Sequence, residues 1–266
     1  MKLQKFFTTS PVTTSILIVL AILMSASAIP IPQLSLSARL HNASSSSLNW
    51  SGYAVTGPSG SVRDARGSWV VPSIQTACTG TNQYSSFWVG IDGFNSGTVE
   101  QTGTDSDCQN GAPVYYAWFE FYPHPAFLIK GLIVHPGDRM SAEVSFNGRS
   151  FTVSISNVNT GQSFSTSSRV RSAQRSSAEW IAEAPSSSGG ILPLANFGTV
   201  SYGTDNTGIS STCFATISGT TGAIGSFGSS VQQITMVSNS GTVKAQPSSL
   251  SSDGTSFSVS WRSAGP

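Results

Sequence analysis

Along most of the chain, apolar and polar residues alternate in short runs separated by clusters of Gly, Ser, Asn and Pro, and no stretch sustains a 3.6-residue period. Alternation marks a strand, because successive side chains leave a strand on opposite faces. Segments 67–72, 85–92, 114–122, 139–146, 150–157, 177–184, 194–202, 231–238 and 256–261 are rich in Val, Ile, Phe, Tyr and Trp and are predicted to be strands. Regularly spaced strands without an amphipathic helix predict an all-β fold, a sandwich of two antiparallel sheets forming a single domain.

Parity within these strands carries a finer expectation. In 85–92 (SSFWVGID), Phe87, Val89 and Ile91 share one apolar face, and Trp88, Gly90 and Asp92 point the other way. In 114–122 (VYYAWFEFY), Ala117, Phe119 and Phe121 oppose Tyr116, Trp118, Glu120 and Tyr122. In 177–184 (SAEWIAEA), Glu179, Ile181 and Glu183 oppose Ala178, Trp180, Ala182 and Ala184. If these strands are neighbours, one sheet face becomes a groove lined by Trp, Tyr, Asp and Glu, and the opposite faces pack on the second sheet. Trp50 and Trp69 are expected in the core.

The N-terminus breaks the pattern. Lys2 and Lys5 precede an unbroken apolar run from Ile16 to Met24 and a small-residue Ala26-Ser27-Ala28 site. This is the grammar of a secretory signal peptide over residues 1–28, and the run falls short of the roughly 20 residues a spanning helix needs. A secreted, extracellular protein is expected, with no stable membrane association after cleavage. Residues 29–48 mix prolines with a serine run and read as a short leader or linker, and the β-sandwich domain is expected over 49–266.

Composition adds two constraints. Charged residues make up only 9% of the chain. Loss of residues 1–28 removes two lysines and no acid, leaving 11 basic against 12 acidic residues, so nucleic acid is not an expected partner. A surface poor in Lys and Arg also suits an acidic medium, where carboxylates lose their charge and unbalanced cations would repel one another. Cys78, Cys108 and Cys213 are an odd number for an exported chain. A Cys78–Cys108 pair would close a loop around Trp88 and Asp92, but spacing alone leaves the pairing open. Asn42-Ala43-Ser44 and Asn49-Trp50-Ser51 fit the glycosylation sequon.

Common catalytic arrangements are missing. There is no Gly-x-Ser-x-Gly elbow, no Asp-Thr-Gly or Asp-Ser-Gly loop, no Gly-rich phosphate loop and no metal-ligand spacing, and His41, His124 and His135 are scattered. No metal or cofactor is expected. Carboxylates and amides are left to carry any chemistry.

The segments NWSGYAV (49–55), GSWVVPS (67–73), FWVGIDG (87–93), VEQTGTD (99–105), YYAWFEFYP (115–123), PGDRM (136–140) and AEWIAEAP (178–185) occur in that order. Together they resemble the glutamic peptidases of the eqolisin family, from about residue 49 to the C-terminus. The resemblance implies a lectin/concanavalin-like sandwich, an acid endopeptidase acting on polypeptide substrates as a monomer, and a cofactor-free Gln/Glu pair. By motif, that pair falls on Gln101 and Glu183. Trp88, Trp118, Asp92, Glu120 and Glu179 match or neighbour supporting and substrate-binding positions. Tyr116 departs from the pattern, which can carry Asp there. Chemically, Glu183 would take a proton from water, Gln101 would donate its amide N–H to the developing oxyanion, and Glu183 would return the proton to the leaving amine. Two rivals use the same groove: a carbohydrate-binding sandwich stacking sugars on Trp, and a glycosidase with Glu120 and Glu183 as paired carboxylates.

Overall fold

A computed structural model describes residues 29–30, 41–42 and 46–265. The expected signal peptide and most of the expected leader lie outside the described residues. Among the described residues no helix is long and apolar enough to cross a membrane. The strands of four residues or more are β1 (Trp50–Thr56), β2 (Val62–Val70), β3 (Ser86–Ile91), β4 (Val99–Gln109), β5 (Ala112–Tyr122), β6 (Arg139–Phe146), β7 (Phe151–Asn157), β8 (Gln162–Ser168), β9 (Ser177–Glu183), β10 (Thr199–Gly203), β11 (Phe214–Ile217), β12 (Thr220–Ala223), β13 (Val231–Val237), β14 (Val243–Pro247) and β15 (Ser256–Trp261).

The front sheet runs β13–β1–β9–β3–β4–β5, every neighbour antiparallel. The back sheet runs β8–β7–β6–β2, and the far edge of β2 is shared by β10 and β11. From β10 the back sheet continues through β15 and β14 to the upper part of β13. Val231 to Ile234 of β13 pair with β1 in front and Met236 and Val237 with β14 behind, so this strand seams the two sheets along one side.

The predicted inward faces meet in the main core. Phe87, Val89 and Ile91 of β3, Ala117, Phe119 and Phe121 of β5, and Ala178, Trp180 and Ala182 of β9 pack against Trp69, Met140, Val144, Phe151, Val153, Tyr202 and Phe257 from the back sheet. Alternation is clearest in β7, where Phe151, Val153 and Ile155 are buried and the residues between them are half-exposed. Full burial of each large apolar side chain contributes about 1.5–3 kcal/mol. The polar ends of the aromatics are matched across the sandwich. Trp69 Nε1 donates to Thr104 Oγ1 at 2.9 Å, Trp180 Nε1 to the Arg66 carbonyl at 2.7 Å and Tyr202 Oη to the Ile181 carbonyl at 2.7 Å.

The central front strands are buried on both faces. Their outer face carries a second cluster that includes Trp50, Ala54, Trp88, Val99, Trp118, Ile181 and Ile234. Trp69 is in the main core as expected. Trp50 is also in the core as expected, in the second cluster, edge-on to Trp88 with ring centroids 4.8 Å apart.

Cys78 and Cys108 are bridged across a sequence separation of 30, tying the segment before β3 to the end of β4, and Cys213 is free and buried. Closing a loop of that length is worth roughly 3–4 kcal/mol through the unfolded state. The Cys78→Ser/Cys108→Ser protein is expected to lose about that much stability in urea unfolding. A loss well under ~1 kcal/mol would mean that the unfolded loop is already restricted.

Candidate active site

Cross-strand register lays the outer face of the front sheet out in three rows, because residues paired across strands share a face. The first row reads Glu179, Gly90, Gln101, Glu120 across β9, β3, β4 and β5. The second reads Ile181, Trp88, Gly103, Trp118. The third reads Trp50, Glu183, Ser86, Asp105, Tyr116, beginning on β1. Every predicted site residue except Asp92 therefore stands on one face, within three rows.

Trp88 links the outer rows. Its ring reaches over Gly90, where a Cβ would stand 3.0 Å from Cζ3, and its base presses on Gly103, where a Cβ would stand 2.6 Å from Trp88 Cβ. Side chains at those two positions would displace the indole. From this seat Trp88 Nε1 donates to Glu183 Oε2 at 2.8 Å, so one rigid ring extends from the Gln101 row to the Glu183 carboxyl.

The other Glu183 oxygen, Oε1, accepts from Asn49 Nδ2 at 3.0 Å. Asn49 is itself held just before β1, where Ser47 Oγ donates to Asn49 Oδ1 and accepts from the Trp50 amide. The Glu183 carboxyl is fully buried, and that burial raises its pKa well above the ordinary carboxylate range. Hydrogen bonds from Trp88, Trp50 and Asn49 pull the other way, and the charge of Asp105 raises it further. Asn49 matches a sequon, yet in the fold it is 1% exposed and bonded to Glu183, which corrects its reading as a glycosylation candidate.

Gln101 donates through Nε2 to Glu120 Oε2 at 2.6 Å. A primary amide has two N–H hydrogens, so one remains beyond that bond. Glu120 is also fully buried, and burial raises its pKa. The Gln101 hydrogen bond opposes this rise, and the charge of Glu183 adds to it. The two carboxyls therefore sense each other electrostatically, although their rows are four residues apart along the strands. Glu179 is raised chiefly by burial, with the charges of Asp92 and Glu100 adding to it.

Asp92 occupies a different station. It has φ 74° in the loop after β3 and accepts the Arg175 amide at 2.6 Å, the Ser176 amide at 2.9 Å and Ser176 Oγ at 3.2 Å. Its place is to fasten the chain just ahead of β9. Trp118 Nε1 donates to Asp105 Oδ1 at 2.6 Å, and Tyr116 Oη lies 2.8 Å from Asp105 Oδ2 and 3.0 Å from Asp107 Oδ2. The phenol has a single hydrogen, so contact with both carboxyls is satisfied when one of them carries a proton. Burial pushes Asp105 up to about 7 and raises Asp107 well above the ordinary carboxylate range, with the charge of Asp105 adding to the rise in Asp107. Tyr116, the departure noted in the sequence, thus replaces a local acid with a phenol bridging two others.

Sequence reasoning singled out neither Asn49, Asp105 and Asp107 nor Glu100. The available signal for Asp105 and Asp107 was their shared parity with Gln101. Glu100 has the opposite parity and is buried beside Asp92, where desolvation and the Asp92 charge raise its pKa.

Comparison with known proteins gives a consistent picture. Residues 48–260 match the Peptidase A4 family. Aspergillopepsin-2 of Aspergillus niger is 29% identical over 178 residues, covering 59% of this chain and 62% of the relative. Scytalidopepsin B of Scytalidium lignicola is 32% identical over 140 residues, 51% of each chain. The chain thus spans between about half and three-fifths of the curated relatives it matches. The crystal structure of scytalido-glutamic peptidase with a transition state analog inhibitor superposes with a TM-score of 0.66 at 25% identity, over 80% of this chain and 98% of that one. Aspergilloglutamic peptidase from Aspergillus niger gives 0.57 at 26% identity, over 68% and 99%.

Proposed function

The chain belongs to the Peptidase A4 family, and from that premise we propose that it is an exported acid endopeptidase in which Glu183 and Gln101 cleave the peptide bond. The observation carrying this reading is the pairing of a multiply held buried carboxyl, Glu183, with an amide anchored to a second buried carboxyl, Glu120.

The charge of Glu183 raises the Glu120 pKa, so Glu120 does not ionise independently of Glu183. Hydrogen bonds from Trp88 and Asn49 favour an ionised Glu183, and the Gln101 amide bonds Glu120. The active form in this reading has a charged Glu183 and a neutral Glu120. In that form Glu183 removes a proton from water as the hydroxide attacks the scissile carbonyl. The second N–H of Gln101, kept in place by the Glu120 anchor, stabilises the oxyanion without any protonation step of its own. The protonated Glu183 then gives its proton to the departing amine. Activity rises as Glu183 ionises and falls as Glu120 does, which produces a bell-shaped profile.

The direct test is hydrolysis of a denatured protein substrate by purified protein from pH 2 to 8, with and without a chelator. Internal cleavage confined to the acid half and indifferent to chelator is expected. Absence of proteolysis throughout would return the aromatic face to the carbohydrate-binding reading.

A further inference from the structure

A second feature lies just beyond the Glu183 end of the outer face. Lys244, on β14, is 2% exposed, and a lysine so buried normally has an anion beside it. Here Nζ donates to the Leu48 carbonyl at a long 3.5 Å, and among the described residues no carboxylate lies within 4.0 Å of it. An ammonium has three donor hydrogens, so this single weak contact leaves most of its capacity unspent. Gly265 packs so near that a Cβ would stand 3.2 Å from Nζ. Lys244 borders a cavity of about 540 Å³ that is also lined by Leu48, Gly190, Leu192, Asn239 and Gly265.

The position of that cavity connects it to the site. Leu48 immediately precedes Asn49, the residue bonded to Glu183, and the Asn49 carbonyl accepts the amide of Ala184. Gly190 and Leu192 lie on the return leg of the short hairpin that follows β9. The cavity therefore opens where β1 and β9 run out past Glu183. We propose that it is a carboxylate-binding subsite for the peptide substrate, with the Lys244 ammonium as its anchor.

The chemistry is that of a charge-assisted hydrogen bond formed away from bulk water. The bearer is a peptide, a choice that rests on the peptidase reading, and the carboxylate is either an acidic side chain or a chain-terminal carboxyl. Burial lowers the Lys244 pKa to about 8, so the ammonium keeps its charge throughout acid and neutral pH. The ligand must also be ionised, which confines recognition to pH values above about 4.

The test is binding without turnover, read by NMR shift titration of the whole protein at pH 5.5. The probes are N-acetyl-trialanine acid, its C-terminal amide and N-acetyl-Ala-Glu-Ala-amide. The subsite requires one or both carboxylate probes to bind about tenfold or more tightly than the trialanine amide. A preference for the free acid identifies a terminal carboxyl, and a preference for the Glu peptide identifies an internal acidic residue. In Lys244→Met, whose side chain keeps the unbranched stem, the preference should disappear. Equal binding of all three probes to the unaltered protein overturns the proposal, as does a preference that survives in Lys244→Met. Because no hydrolysis is read, the subsite and the peptidase reading can fail separately.

Discussion

Glu183→Gln is expected to abolish peptide hydrolysis, lowering kcat by about 10³–10⁴-fold while the protein stays folded. The substitution removes the proton acceptor and keeps the side-chain shape. It leaves an amide N–H₂ facing one of two donors, Trp88 Nε1 or Asn49 Nδ2, so some local rearrangement is expected. It also removes a buried ionisable group, which offsets that cost. Gln101→Ala should cost about 10²–10³-fold, the scale of one oxyanion donor. The effect should fall on kcat more than KM, since the lost bond matters most in the transition state. Glu179→Gln is the control, a carboxyl two positions from Ile181 on the same strand face but in the far row. If Glu179→Gln were dead and Glu183→Gln active, the assignment would be reversed, and full activity in Gln101→Ala would remove the amide from the mechanism. The Glu183→Gln/Gln101→Ala double variant should be little worse than Glu183→Gln alone, because the two act on one step.

The second large effect is on stability, which is expected to be greatest near pH 3–4 and to fall steeply toward neutrality. Burial raises Glu100, Glu120, Glu179, Glu183, Asp105 and Asp107 above their ordinary values. In the unfolded chain these carboxyls ionise near pH 4, whereas in the native protein they hold their protons to higher pH. The native state therefore binds more protons than the unfolded state through this window, and unfolding becomes easier as pH rises. For Asp105 the window runs from 3.8 to about 7. At 1.36 kcal/mol per pKa unit it alone removes roughly 4 kcal/mol across that range. The other five carboxyls act in the same direction. Lys244 has the opposite sign but acts only above about pH 8, where its native pKa lies. Urea midpoints measured from pH 3 to 8 should decline throughout, and Glu179→Gln should flatten the decline. A midpoint independent of pH would contradict the burial of these carboxyls as charged-form penalties.

Much of the scaffold could be read from alternation, and the reason is physical. Strands β3, β5 and β9 place apolar side chains at every second position, so parity alone separated the core face from the site face, including Trp88, Trp118, Glu120 and Glu183. The strand that carries Gln101 was not legible in this way. In β4, Glu100, Gln101, Thr102, Thr104, Asp105, Ser106 and Asp107 are all buried, so a strand inside the protein looks like a polar loop. Its interior polar groups are tolerated because partners meet them, Thr104 with Trp69 and Gln101 with Glu120. The family's ordered motifs filled that gap. Boundaries were weaker elsewhere: the segment expected over 67–72 begins at Val62, and the one over 194–202 begins at Thr199, since Leu194 makes only an isolated bridge to Tyr84 and Ala195 and Phe197 are buried outside the strand. Asn49 was passed over because a short amide before a strand has no pattern of its own, and its role exists only through a contact 134 residues away.

That last contact sets when the site can exist. Glu183 is held by Asn49 across 134 residues and by Trp88 across 95, so neither tether can form until β9 has been made and inserted between β1 and β3. Pairings of such high contact order come late and slowly in folding, since chain closure must precede any reward from the contact. Gln101 and Glu120, by contrast, face each other within one local hairpin of β4 and β5, whose pairing needs no distant strand. The topology itself delays assembly of the proposed site until the whole domain has closed.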